Sequence, residues 1–209
     1  MRVLKIIFFF VFIFYIQAQD KDIQSWNNIE FTYDVADNLR LSLDNGFRFT
    51  ENTSVMSKYF LDLSVKRKHN KMFSYAIGYR YLLYREINPL ELEEKNRFYL
   101  DTYFKKNISK SLKYALRTRF QTQIHEDVVN KLRQKIKFTY DIEKVDVDVV
   151  LLIEGFYFVG DALEKLRYQI GFIKPIAKKT NLNLGYMIQQ ELDHSDLFFV
   201  VRAKLSHEF

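Results

Sequence analysis

Hydrophobic and polar residues alternate with a period of two along almost the whole chain, and that period, rather than 3.6, predicts strands. In WNNIEFTYDV, Ile29, Phe31, Tyr33 and Val35 take one side and Asn28, Glu30, Thr32 and Asp34 the other. After a tight turn at ADN, Leu39, Leu41, Leu43, Phe47 and Phe49 alternate with Arg40, Ser42, Asp44, Gly46 and Arg48. The pattern returns after TENTSV (Tyr59 to Val65), HNK (Phe73 to Leu83), EINPLELEEKN (Phe98 to Phe104), NISKS (Leu112 to Ile124) and HEDVVN (Leu132 to Tyr140). It returns again after IEK (Val145 to Ile153), VGDALE (Leu166 to Phe172), KPIAKKT (Leu182 to Ile188) and LDHSD (Phe199 to Phe209).

About eleven such segments of roughly 9–13 residues can be counted. Strands of soluble proteins are usually about 5–6 residues long, whereas a tilted strand crossing a bilayer needs about 9–11. The apolar phase is rich in Tyr and Phe, as suits aromatic girdles at a lipid–water boundary. Only helices and closed barrels satisfy every backbone group in lipid. The expectation is an all-β, antiparallel, transmembrane up-and-down β-barrel, apolar outside and polar inside. Turns that alternate short and longer fit that design, with Phe209 finishing on the periplasmic side. Bacterial barrels usually have an even number of strands, and eleven would set the first and last parallel. The expectation is therefore 10–12 strands with 12 slightly preferred. A short strand over Gln19 to Ser25 is one way to complete the count.

The amino terminus changes the picture next. Arg2 and Lys5 precede an apolar run from Ile6 to Ile16, and Ala18 offers a small residue for a peptidase. This reads as a secretory signal peptide over 1–18, leaving a barrel domain over 19–209. The run is short for a retained anchor, which needs about 20 residues. Cleavage removes Arg2 and Lys5 and lowers the net charge from +6 to +4. The basic residues sit singly along strands rather than in one block, so the charge does not point to nucleic acid. The chain has 209 residues, enough for one sizeable core, and 17% of them are aromatic. Cysteine is absent, which excludes disulfides and thiolate metal sites.

The polar phase carries the candidate chemistry. Arg40, Arg48, Arg80, Arg97, Asp101, Arg117, Arg119, Arg133, Glu154, Arg167 and Arg202 form a ladder of charges expected to face the lumen. Lys58, Lys105, Lys135, Lys204, Asp44, Asp62, Asp148 and Glu191 share that phase. Buried charges must be paired or wet. The ladder is therefore either a salt-bridged plug that fills a narrow barrel or the lining of a narrow channel whose arginine excess favours anions.

Three weaker features stand beside it. His125, His194 and Ser195 could meet at one rim as a lipid-modifying hydrolase or acyltransferase. Against that, contiguous residues such as HSD cannot orient one another as a triad, and no nucleophile motif is present. Glu86, Glu91, Glu93 and Glu94 could hold a divalent cation, or simply form a solvated loop. Trp26 is expected at an interface or in the plug. No phosphate loop, zinc spacing or nucleic-acid motif occurs, so no cofactor or metal is called for. A soluble exported β-barrel that binds an apolar ligand is the remaining alternative.

The last strand resembles the carboxy-terminal assembly signal of Gram-negative outer-membrane proteins, through Phe199, Val201, Ala203, Leu205 and Phe209. His207 departs from it. That resemblance implies recognition by the barrel assembly machinery and residence among outer-membrane lipids. The mature chain also resembles the small outer-membrane barrels of domain of unknown function 2490. It does so through Trp26, Arg48, GYRY (78–81), NRFYLD (96–101), RTRFQ (117–121), Glu154 and RYQIGF (167–172). The resemblance implies barrel fold and outer-membrane location, and carries no activity.

Overall fold

A computed structural model describes residues 22–85, 91–160, 162–193 and 196–209. The expected signal peptide lies outside the described residues, as do His194 and Ser195. Eleven strands form one sheet: β1 (Ile23–Ala36), β2 (Leu39–Thr50), β3 (Val55–Lys68), β4 (Phe73–Arg85), β5 (Leu92–Asn107) and β6 (Leu112–Ile124). The sheet continues with β7 (Val128–Ile142), β8 (Val147–Phe158), β9 (Leu163–Ala177), β10 (Thr180–Glu191) and β11 (Leu197–Glu208).

Each strand pairs antiparallel with the next, and the sheet closes on itself as a barrel. Closure joins β1 to β11 in parallel, from Ile23 opposite Phe199 to Thr32 opposite Glu208. The count falls within the expected range, but the slight preference for twelve gives way to eleven. A parallel ladder pairs every backbone group as an antiparallel one does, only with slanted bonds. An odd count can therefore close without leaving an edge. Ile23 to Ser25 belong to β1 itself and make no additional strand. One consequence is that β1 begins at the rim opposite to the one where β11 finishes.

The strands run 12 to 16 residues, longer than the alternation suggested. Leu92 to Asn96, expected in a loop, opens β5. Lys174 to Ala177, also expected in a loop, ends β9. Ladder hydrogen bonds continue past the apolar phase, because backbone pairing does not require an apolar side chain. At the carboxyl rim, where β11 ends, two to four residues join successive strands; at the opposite rim, three to six do. The expected contrast in turn length is present but slight.

The two faces are inverted relative to a soluble barrel. Ile77 on the outer wall is 61% exposed, and Leu63, Leu100, Phe120, Leu151, Ile170 and Val201 are exposed with it. Asp101 inside is 0% exposed, and Asp62, Arg119, Arg133 and Glu154 are buried. Aromatic residues form a row outside near the carboxyl rim. Phe73 meets Phe104 (5.0 Å between ring centroids), Phe104 meets Tyr114 (6.3 Å), and Tyr114 meets Phe138 (5.4 Å). The rims also differ in charge. Lys68, Lys71, Lys106, Lys110, Lys113, Lys174, Lys178 and Lys179 crowd the carboxyl rim. Glu51, Glu91, Glu93, Glu94, Glu126, Asp127, Asp193 and Asp196 crowd the other.

A luminal belt of arginines and aromatic rings

Register decides which luminal side chains meet. Asp62 lies opposite Arg80, Asp101 opposite Arg119, and Glu154 opposite both Lys135 and Arg167. The same register sets Arg48 against Lys58, Arg80 against Arg97, Arg119 against Arg133, and Arg117 against Lys135. Like charges directly across a ladder are destabilising. Here Glu154 takes both Arg117 and Lys135, while Arg119 and Arg133 lie over different rings, Tyr99 and Phe156.

The Arg48 guanidinium lies 3.8 Å from the centre of the Trp26 ring and 5.7 Å from that of Phe60. Arg80 covers the other part of Phe60 at 4.0 Å, and its Nε bonds Asp62 Oδ2 at 2.5 Å. The Tyr99 hydroxyl donates to Asp62 Oδ1 (2.6 Å). Arg119 stacks on the Tyr99 ring at 3.5 Å, and grips Asp101 with Nε and Nη2, both at 2.7 Å. Arg133 follows across the ladder, 4.4 Å from the Phe156 ring. Arg167 covers Phe156 at 4.3 Å and reaches Trp26 at 4.8 Å, closing the circuit. Met187 and Val200 pack with Trp26 in one buried cluster. Every strand thus contributes a side chain to this belt. A desolvated guanidinium–ring contact is worth about 2 kcal/mol, and Arg is suited to it by its planar, weakly hydrated head.

Two glycines make room for the rings. A Cβ on Gly46 would sit 2.1 Å from the Phe60 ring, and one on Gly78 would sit 2.2 Å from Tyr99. Each glycine lies directly opposite its aromatic partner, so the ring covers bare backbone. Gly78→Ala is expected to destabilise the barrel by about 1–3 kcal/mol, the usual cost of overpacking. The penalty should shrink when Tyr99→Leu is added, and the two denaturation midpoints measure that coupling.

A chamber of about 370 Å³ lies on the carboxyl-rim side of the belt. Its lining runs from Phe60 through Asp62 and Ser64 to Lys66 on β3, and from Tyr99 to Tyr103 on β5. Lys58, Lys95 and Arg97, beyond the belt, are not part of it. Arg40 and Lys204 are about a quarter exposed at its mouth, where Arg40 pairs with Asp34 (2.6 Å) and Glu208 (3.1 Å), and Lys204 with Glu30 (2.9 Å). Deeper in, Glu154 receives Arg117 (2.5 Å), Arg133 (2.8 Å), Lys135 (3.8 Å) and Arg167 (3.8 Å). Arg202 donates to Gln169 rather than to an acid.

The residues singled out by the alternation therefore fall into separate groups. Arg48, Arg80, Arg119, Arg133 and Arg167 join the belt. Asp101, although it does not line the chamber, clamps Arg119 from behind the Tyr99 ring. Arg40, Arg117, Glu154 and Arg202 line the chamber. Arg97 lies beyond the belt and donates to Gln123. Phe199, Val201 and Leu205 face outward, Phe199 stacking on Tyr186 at 6.3 Å. Phe209 packs on Phe31 at 6.0 Å, while its N–H donates to the Thr32 carbonyl across the parallel seam. Sequence reasoning missed the aromatic half of the belt: Phe60, Tyr99 and Phe156. Their signal was an aromatic residue on the polar phase, two of them beside a neighbouring strand's glycine.

Both ring nitrogens of His125 are occupied at the acidic rim, Nδ1 by the Glu94 carbonyl and Nε2 by Glu93, each at 2.9 Å. Glu93 also holds Lys95 at 2.8 Å. Among the described residues no group of acids and histidines is arranged to hold a metal ion.

No curated protein matches the chain. The model of the family described as protein of unknown function (DUF2490) matches residues 23–197, from the start of β1 to the start of β11, and the chain belongs to that family.

Proposed function

We propose that this protein is an outer-membrane β-barrel of Gram-negative type, exported by a leader cleaved after Ala18. Its lumen is plugged by the arginine–aromatic belt, so that any conduction is narrow and weakly anion-preferring. The observation that carries the reading is the inverted barrel: an exposed apolar wall around buried charge. Contiguous apolar surface of that extent marks a membrane or partner contact. A charged interior does not suit the apolar ligand that a soluble exported barrel would carry. Outer-membrane lipids are then the partners of the wall, and the barrel assembly machinery its partner during insertion. Phe209 reaches across the seam to β1, which favours a role for it in closing the barrel.

Fractionation tests this reading. The protein should sediment with the envelope and run faster on gels unheated than boiled. Recovery in the periplasm would refute it. In planar bilayers the wild-type barrel should give no steps or small anion-selective ones. Orientation is checked by single cysteines in a chain that has none of its own. An impermeant maleimide added to intact cells should label Asn52→Cys, and Ser109→Cys only after permeabilisation. Phe209→Ser should lower the amount of folded barrel in the membrane, read as the heat-modifiable fraction.

A further inference from the structure

We infer that the luminal chamber binds a divalent tetrahedral oxyanion of the phosphate monoester class. The inference rests on the polar lumen and goes beyond the outer-membrane reading, from which it is separable.

Charge is the first argument. Eleven Arg and Lys side chains line the chamber against four Asp and Glu. Asp101, just behind it, raises the acids to five and is already clamped on Arg119. Each uncompensated buried ion costs several kcal/mol, so an excess of this size calls for a counter-anion. The imbalance is sharpest around Glu154, where one carboxylate faces Arg117, Arg133, Lys135 and Arg167.

Unmade hydrogen bonds are the second argument. The Nε atoms of Arg117, Arg133 and Arg202 are buried without a partner. Arg133 as a residue is 7% exposed. Such orphans are accounted for by an ordered water, an ion or local strain, and of these only an ion also meets the excess of charge. Guanidinium forks recognise planar or tetrahedral oxyanions through paired N–H donors, which a halide cannot match. Access favours an anion as well. Arg40, Lys66 and Lys204 surround the mouth, and the lysine-rich carboxyl rim lies around it. Arg40 and Lys204 are paired with acids there, so it is the lysines of the rim that bias approach toward anions. A chamber of about 370 Å³ lies within the range of small-molecule sites.

The test uses the full-length mature barrel refolded in detergent, titrated with inorganic phosphate against chloride at constant ionic strength. Phosphate should raise the unfolding midpoint saturably and bind one per barrel by calorimetry, with chloride inert. Lys135→Gln and Arg202→Gln lie outside the belt. Singly they should weaken phosphate binding, and together by at least tenfold, while the unheated gel shift persists. In the absence of phosphate the double variant should be no less stable than wild type, because it removes two excess charges. Glycerol phosphate and short-chain phosphatidic acid micelles then identify the source. Binding of either supports the site: equal response points to a soluble ligand, and response to the lipid alone to a headgroup. Equal effects of phosphate and chloride, or unaltered affinity in the double variant, would overturn it. Either result leaves the outer-membrane reading standing, since that depends on fractionation.

Discussion

Glu154→Gln should lose roughly 3–5 kcal/mol of stability, the cost of leaving buried charges without their partner. The change keeps the shape of the side chain and removes its charge. Arg117, Arg133, Lys135 and Arg167 would then share a buried pocket with no carboxylate within 4 Å on β8. Glu154 is itself 3% exposed, so water cannot take its place cheaply. The measurement is the urea midpoint of the refolded barrel, followed by the loss of its heat-modifiable form. Glu51→Gln, in an exposed loop at the acidic rim, is the control and should move the midpoint by less than about 0.5 kcal/mol. Equal effects at the two positions would remove Glu154 as the neutralising centre of the lumen.

Trp26→Ala should both weaken the barrel and open it. Trp26 is the ring on which Arg48 and Arg167 meet, and it packs with Met187 and Val200 next to the parallel seam. Truncating a buried Trp typically costs about 3–5 kcal/mol. The hole left behind should join the chamber to the far side of the belt. Purified Trp26→Ala should give conductance steps in planar bilayers, with a reversal potential shifted toward chloride in a potassium chloride gradient. Trp26→Phe keeps a ring under both guanidinium groups and should remain closed. Steps of the same size in wild type and Trp26→Ala would place the constriction elsewhere than at the belt.

Both expectations depend on contacts that the chain shows only in part before it folds. The segment of β3 from Lys58 to Asp62 reads plainly as alternating, yet Phe60 in its middle is an aromatic residue on the polar side. Taken alone it looks like an exception. Only when Gly46 is known to lie opposite does the ring have a surface to cover. The polar run at Leu92 to Asn96 likewise looks like loop until β4 supplies its ladder partners, from Arg85 to Tyr81.

The alternation of side chains is a local property of extended backbone, repeating every two residues whatever the strand pairs with. For that reason the all-β class, the approximate strands, their apolar and polar faces, and the ladder of charges inside are all legible in the chain before it folds. Register and closure are not local. They arise when eleven strands find a pairing that leaves no edge. That pairing decided that β1 and β11 run parallel. It also put Asp101 beneath Arg119 and four cations around Glu154. Trp26, Phe60, Tyr99 and Phe156 were likewise brought between arginines from strands far apart in the chain. A one-residue slip would send every one of these side chains to the other face, so the belt exists only in the closed barrel.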